Sequence, residues 1–144
     1  MKQLSKNFTL EEFTDSATAD KLGIKNAPNP EQTANITHLV RGMLQPARDM
    51  LNIPITVSSG FRSAVVNKAV GGSSTSQHCK GEAADLQCAD NKMLFDIIKD
   101  NFVFDQLINE HDYSWIHVSL KEYGNRNEVL RSVKKNGETK YLKL

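Results

Sequence analysis

Ser76-Gln77-His78-Cys79-Lys80-Gly81-Glu82-Ala83-Ala84-Asp85 is the most informative stretch of this 144-residue chain. It sets an imidazole, His78, in a loop bounded by Gly81, and a carboxylate, Asp85, seven positions later in a run that reads as a strand over 82–87. The small residues Gly81, Ala83 and Ala84 leave room around both groups for something to approach. A third candidate ligand lies downstream in Trp115-Ile116-His117-Val118-Ser119-Leu120. Strand alternation puts Trp115, His117 and Ser119 on one face and the apolar set Ile116, Val118 and Leu120 on the other. The apolar set belongs to a core, which aims His117 at a cleft.

Working outward, Thr9 with Glu12 three positions on is the capping-box pattern of a helix over about 10–15. Asn29-Pro30 opens the longest helix, since Pro is tolerated at the first helical position. Ile36, Leu39, Val40, Met43, Leu44, Ala47, Met50 and Leu51 make its buried stripe, His38 falls on its polar side, and Pro46 should bend it near 42–46. Ile55–Ser58 reads as a short strand, and Ser63 caps a helix to about Val70, ahead of a Gly71-Gly72-Ser73-Ser74 loop. Asp90 caps a helix with Met93, Leu94, Ile97 and Ile98 inward. Strands are expected over Phe104–Asn109 and Trp115–Leu120, joined by a polar turn at His111-Asp112-Tyr113. Asn136-Gly137 between two extended runs is a hairpin signal. Helices come early and strands late, so the expected class is α+β, with helices packed on a small, mainly antiparallel sheet in one domain over 1–144.

The composition excludes several classes. Lys plus Arg is 18 and Asp plus Glu is 17, a net charge of +1 that argues against nucleic acid as a partner. No apolar run reaches the roughly 18 residues that insert in a membrane, and residues 1–15 lack the apolar segment of a secretory signal. Cys79 and Cys88, nine positions apart, read as reduced thiols and not as a disulfide framework. A monomer is expected.

Two histidines and a carboxylate suit a catalytic zinc, because three protein ligands leave the fourth tetrahedral position for water. Spacing alone also leaves open that His78, Asp85 and His117 are unrelated polar residues. Arg62, in Ser58-Ser59-Gly60-Phe61-Arg62-Ser63, is suited to holding a carboxylate bidentately and to meeting charge that develops on a scissile carbonyl; the plainer reading is a surface Arg at a turn.

S-x-H-x-x-G-x-A-x-D followed by W-x-H resembles the zinc peptidases that cleave peptidoglycan stem peptides. These are the D-Ala-D-Ala carboxypeptidases and dipeptidases and the phage L-alanyl-D-glutamate endopeptidases. Ser58–Ser63 resembles their S-S-G-[FY]-R-S element, while Asp105-Gln106-Leu107-Ile108 and the tail from Asn125-Arg126-Asn127 are similar to the short, phage-associated branch. The resemblance implies a Hedgehog-like fold, Zn²⁺ held by His78, Asp85 and His117, and Arg62 holding a substrate carboxylate. Ser76 and Gln77, flanking the first ligand, either donate to the site or shape its loop, and Trp115 is a further substrate-binding candidate. Many relatives carry an acidic residue three positions before the second histidine, where this chain has Ser114. Glu110 ends the strand that a tight turn returns towards His117, so it is the expected catalytic base, with Asp112 the alternative and Asp105 structural. His111 is read as a solvated turn residue. The resemblance implies hydrolysis of an L-Ala-D-Glu or D-Ala-D-Ala bond by a phage or prophage endolysin, made in the host cytoplasm and acting on the wall after release. The competing expectation is a catalytically impaired module that only binds the cell wall.

Overall fold

Alternation and turn chemistry together build one mixed sheet, seen in a computed structural model that describes residues 2–144. Its strands are β1 (Thr56–Ser59), β2 (Ala83–Gln87), β3 (Gln106–Glu110), β4 (Trp115–Ser119), β5 (Glu128–Lys135) and β6 (Glu138–Lys143). They lie side by side in the order β1-β2-β4-β3-β5-β6. Neighbours are antiparallel except β3 and β5, which run parallel. The β5–β6 turn places Asn136 and Gly137 at φ of 52° and 79°, the left-handed pair that matches the twist of a two-residue hairpin. The class is α+β, as expected.

Helices α1 (Leu10–Thr14), α2 (Ala17–Leu22), α3 (Pro30–Leu39), α4 (Gln45–Leu51), α5 (Ala64–Ala69) and α6 (Asn91–Asn101) complete the fold. Most start where a side chain can satisfy the free N–H groups of the first turn. The backbone N–H of Thr9 donates to Glu12 at 2.6 Å, Asn29 and Gln32 cap each other reciprocally, and the Asp90 carboxylate accepts from the backbone N–H of Met93 at 3.0 Å. Helix α2, capped by Ser16, was not expected from the sequence. Ahead of Pro46 the helix does not break. It widens into a π-helical stretch, Val40–Leu44, where the N–H of Gln45 donates to the Val40 carbonyl five residues back.

The core lies on one face of the sheet. Leu39, Met43, Leu44, Leu94 and Ile98 from the helices cover Leu86, Leu107, Ile116 and Val118, all 0% exposed. Two assignments change. Met50 and Met93 are exposed (51% and 48%), and Phe95 takes the inward position on α6, edge-on to Tyr113 at 5.7 Å. A bulky ring in that register fills the layer better than the flexible Met two residues earlier.

Asp105 precedes β3 and is fully buried. It accepts from Arg126 Nε at 3.0 Å, Arg126 Nη2 at 2.7 Å, the Arg126 backbone N–H at 3.1 Å and Gln77 Nε2 at 2.9 Å. The Arg126 guanidinium foremost, joined by these other donors, holds its pKa down at about 2 against an ordinary 3.8. A lowered carboxylate pKa stabilises the fold fully above pH ~4, and that stability is lost as pH falls through the folded value. Asp105→Asn should therefore cost about 2 kcal/mol at pH 7. In urea titrations at pH 7, 4 and 2 the gap from wild type should close towards the acid end; a gap of constant size would show that charge is not what Asp105 contributes.

Candidate metal centre

His78 sits on a single 3₁₀ turn, Gln77–Lys80, ahead of β2. The Ser76 hydroxyl accepts from the His78 backbone N–H at 3.2 Å, so Ser76 shapes the loop. Gly81 closes the turn at φ +77°, with its α-carbon against the Gln32 carbonyl where a Cβ would collide. The ring is 3% exposed, and its Nδ1 lies 2.7 Å from the Gly60 carbonyl. A carbonyl can only accept, so Nδ1 carries the proton and Nε2 keeps its lone pair for a ligand. Gly60 is itself wedged against the Phe13 backbone, where an added Cβ would lie 2.7 Å from Phe13 Cα.

Asp85 and His117 are direct cross-strand partners on β2 and β4, on the face opposite the core. Asp85 Oδ1 lies 3.0 Å from His117 Nδ1 and 3.5 Å from His78 Nε2. One nitrogen from each ring and one carboxylate oxygen all lie within 4.8 Å of one another. Ligands about 2.1 Å from a tetrahedral zinc stand about 3.4 Å apart, so this spacing and the N, N, O donor set fit that ion. Burial pushes the Asp85 carboxyl pKa up, but the two imidazoles beside it, His117 foremost, more than reverse this and leave it well below the usual range.

Strand β3 carries Ile108 opposite His117 and Glu110 opposite Trp115, on the same face. Glu110 is 7% exposed; burial raises its pKa, against the opposing influence of the Ser132 hydroxyl and His117. Directly after it His111, Asp112 and Tyr113 take φ of 47°, 54° and 62°, three successive left-handed residues without a glycine. The turn is held by the His111 N–H on Ser132 Oγ (3.0 Å), Ser114 Oγ on the His111 carbonyl (2.7 Å) and Asn91 Nδ2 on the Tyr113 carbonyl (2.8 Å). Asp112 is exposed on this turn.

These groups open into a groove of about 740 Å³. Its lining includes Arg62, Ser76, Gln77, Glu110 and Trp115 together with the three candidate ligands, but neither Asp112 nor Asp105. Gln77 is turned onto Asp105, and Trp115 packs on His111 with ring centroids 5.2 Å apart. Arg62 is placed by its backbone N–H on the His78 carbonyl (3.2 Å), and its segment is anchored by Asn26, which donates to the Phe61 carbonyl and accepts from the Ser63 N–H. Sequence reasoning missed Asn26, the Gly60 carbonyl, and the groove wall formed by Lys80, Lys121, Leu130 and Tyr141. Cys79 and Cys88 are free thiols, and burial raises the pKa of both. His38 is exposed, as expected. Among the described residues no helix is long and apolar enough to cross a membrane.

A segment of 33 residues is 61% identical to the zinc D-Ala-D-Ala carboxypeptidase of Streptomyces albus G, spanning 23% of this chain and 13% of that protein. Residues 6–119 match the family model Peptidase M15, a span that holds Arg62, His78, Asp85, Glu110 and His117. By that match over most of its length, the chain belongs to the peptidase M15 family.

Proposed function

We propose that this protein is a zinc-dependent peptidase that hydrolyses an amide bond in peptidoglycan stem peptides. The observation that carries the reading is the convergence of His78, Asp85 and His117 at the floor of a groove that also holds a buried carboxylate, Glu110, and a guanidinium, Arg62. Zinc held by those three residues would supply a Lewis acid and a water acidified towards pH ~7.

The chain's own residues would do the rest. Glu110 takes a proton from the attacking water as its oxygen adds to the carbonyl carbon, and returns that proton to the amine nitrogen as the C–N bond breaks. Arg62 holds a substrate carboxylate and offers N–H groups to the oxygen on which charge develops. Trp115 supplies an aromatic wall beside Glu110, and Ser76 and Gln77 keep the His78 turn in shape.

The role proposed for this activity is that of a phage or prophage endolysin, made in the host cytoplasm and reaching the wall after release. Its support is the resemblance of Asp105–Ile108 and of the tail from Asn125 to the short, phage-associated branch. Purified protein incubated with peptidoglycan, with and without a chelator, tests the reading by mass spectrometry of new amino groups. Chelator-sensitive release is expected, and the fragment masses distinguish an L-Ala-D-Glu cut from a D-Ala-D-Ala cut. Absence of zinc-dependent release from any stem peptide would leave a module that binds the wall without cutting it.

A further inference from the structure

Charge is distributed unevenly around the groove. Arg62, Lys80, Lys121 and Arg126 line it against two carboxylates, Asp85 and Glu110, although the whole chain carries only +1. Lys121 and Arg126 lie beyond residues 6–119, so they are no part of the family match. Both converge on the buried Asp105, with Lys121 Nζ at 3.6 Å from Oδ1 and Arg126 bonded to both carboxylate oxygens. Glu82 and Glu128 also stand within electrostatic range of Lys121 and Arg126, but neither lines the groove, so the charged groups that face it here are the two cations. Arg126 Nη1 has no partner among the described residues, while Nε and Nη2 fix the guanidinium plane.

The register gives the distance scale. Gln106 pairs with Ser119 two positions along the strands from the Ile108–His117 pair. At ~3.3 Å per residue that is about 7 Å; Asp105, one position further, stands about 10 Å along from the Ile108–His117 pair, and Lys121, two beyond Ser119, about 13 Å. An extended peptide advances by a similar length per residue, so a group there lies about three to four residues from the bond at the metal centre.

We propose that Arg126 and Lys121, seated on Asp105, form a second carboxylate-binding position in the groove. It takes a peptide carboxylate about three to four residues from the scissile amide, Arg62 taking the nearer one. The proposal rests on the stem-peptide reading and narrows it to peptides that carry two free carboxylates.

Three synthetic peptides test it on the zinc-loaded protein: L-Ala-γ-D-Glu-L-Lys-D-Ala-D-Ala, the same peptide with the D-Glu α-carboxylate amidated, and the same with its C-terminus amidated. Loss of the carboxylate read by Arg126 and Lys121 should lower kcat/KM about tenfold, mainly through KM, as for one charge-assisted hydrogen bond. In Lys121→Gln and Arg126→Gln the ratio between parent and that amidated peptide should fall towards one. Where Arg126→Gln fails to fold, Lys121→Gln still gives the ratio, because the Asp105–Arg126 pair stays intact. Equal rates on all three peptides, or an undiminished ratio in the folded variants, overturn the second position and leave the peptidase reading standing. Cleavage of none of the three overturns both.

Discussion

His117→Ala should leave a folded protein with no stoichiometric zinc and no detectable cleavage of peptidoglycan. Two ligands do not hold a zinc that needs three protein ligands and a water, so both properties should vanish together. His117 is the cleaner site for the experiment. Its strand buries Ile116 and Val118 on the opposite face, and removing the imidazole leaves that packing untouched. His78→Ala should have the same effect on metal and activity, but it also strips the Gly60 carbonyl of its donor, which adds a cost of about 1–3 kcal/mol. Zinc measured by mass spectrometry on the dialysed proteins, beside circular dichroism, decides the matter. Full zinc retention in both variants would show that the ion sits elsewhere or that these residues do not ligate it.

Glu110→Gln should produce a different phenotype: zinc bound, substrate bound, and kcat lower by about 10²–10⁴-fold, the range for loss of a general base. Gln keeps the shape and can still bond to Ser132, so a large loss would report on the missing basic oxygen and not on packing. Asp112→Asn is the paired control, since that carboxylate is exposed on the turn and outside the groove lining. It should change kcat little. The reverse pattern, with Asp112→Asn inactive and Glu110→Gln active, would move the base into the turn. If neither substitution matters, the wall-binding reading displaces the enzyme.

Local chemistry made much of this legible. Alternation in Trp115–Leu120 separates His117 from the core because Ile116, Val118 and Leu120 can be satisfied only on one side. Asn136-Gly137 announces its hairpin because few other pairs adopt two left-handed conformations. Illegible parts depend on partners distant in sequence. The parallel pairing of β3 with β5 sets Leu130 beside Ile108, and from it follows the wall that includes Tyr141; no local pattern encodes that register. The Gly60 carbonyl that fixes the His78 tautomer is a backbone atom and leaves no side-chain signature. On α6, Met93, Leu94, Phe95, Ile97 and Ile98 are all apolar, so periodicity could not choose between Met93 and Phe95 for the inward face.

The pairing of Asp85 with His117 also links quality of folding to activity. A slip of one residue between β2 and β4 would turn His117 towards the core and bring Ile116 or Val118 out into the groove. The same error would thus abolish the ligand set and expose apolar surface that drives aggregation. On the proposed ligand set a misregistered form would not hold the ion, so in any preparation the fraction of molecules that takes up zinc should also count those whose central strands found their correct partners.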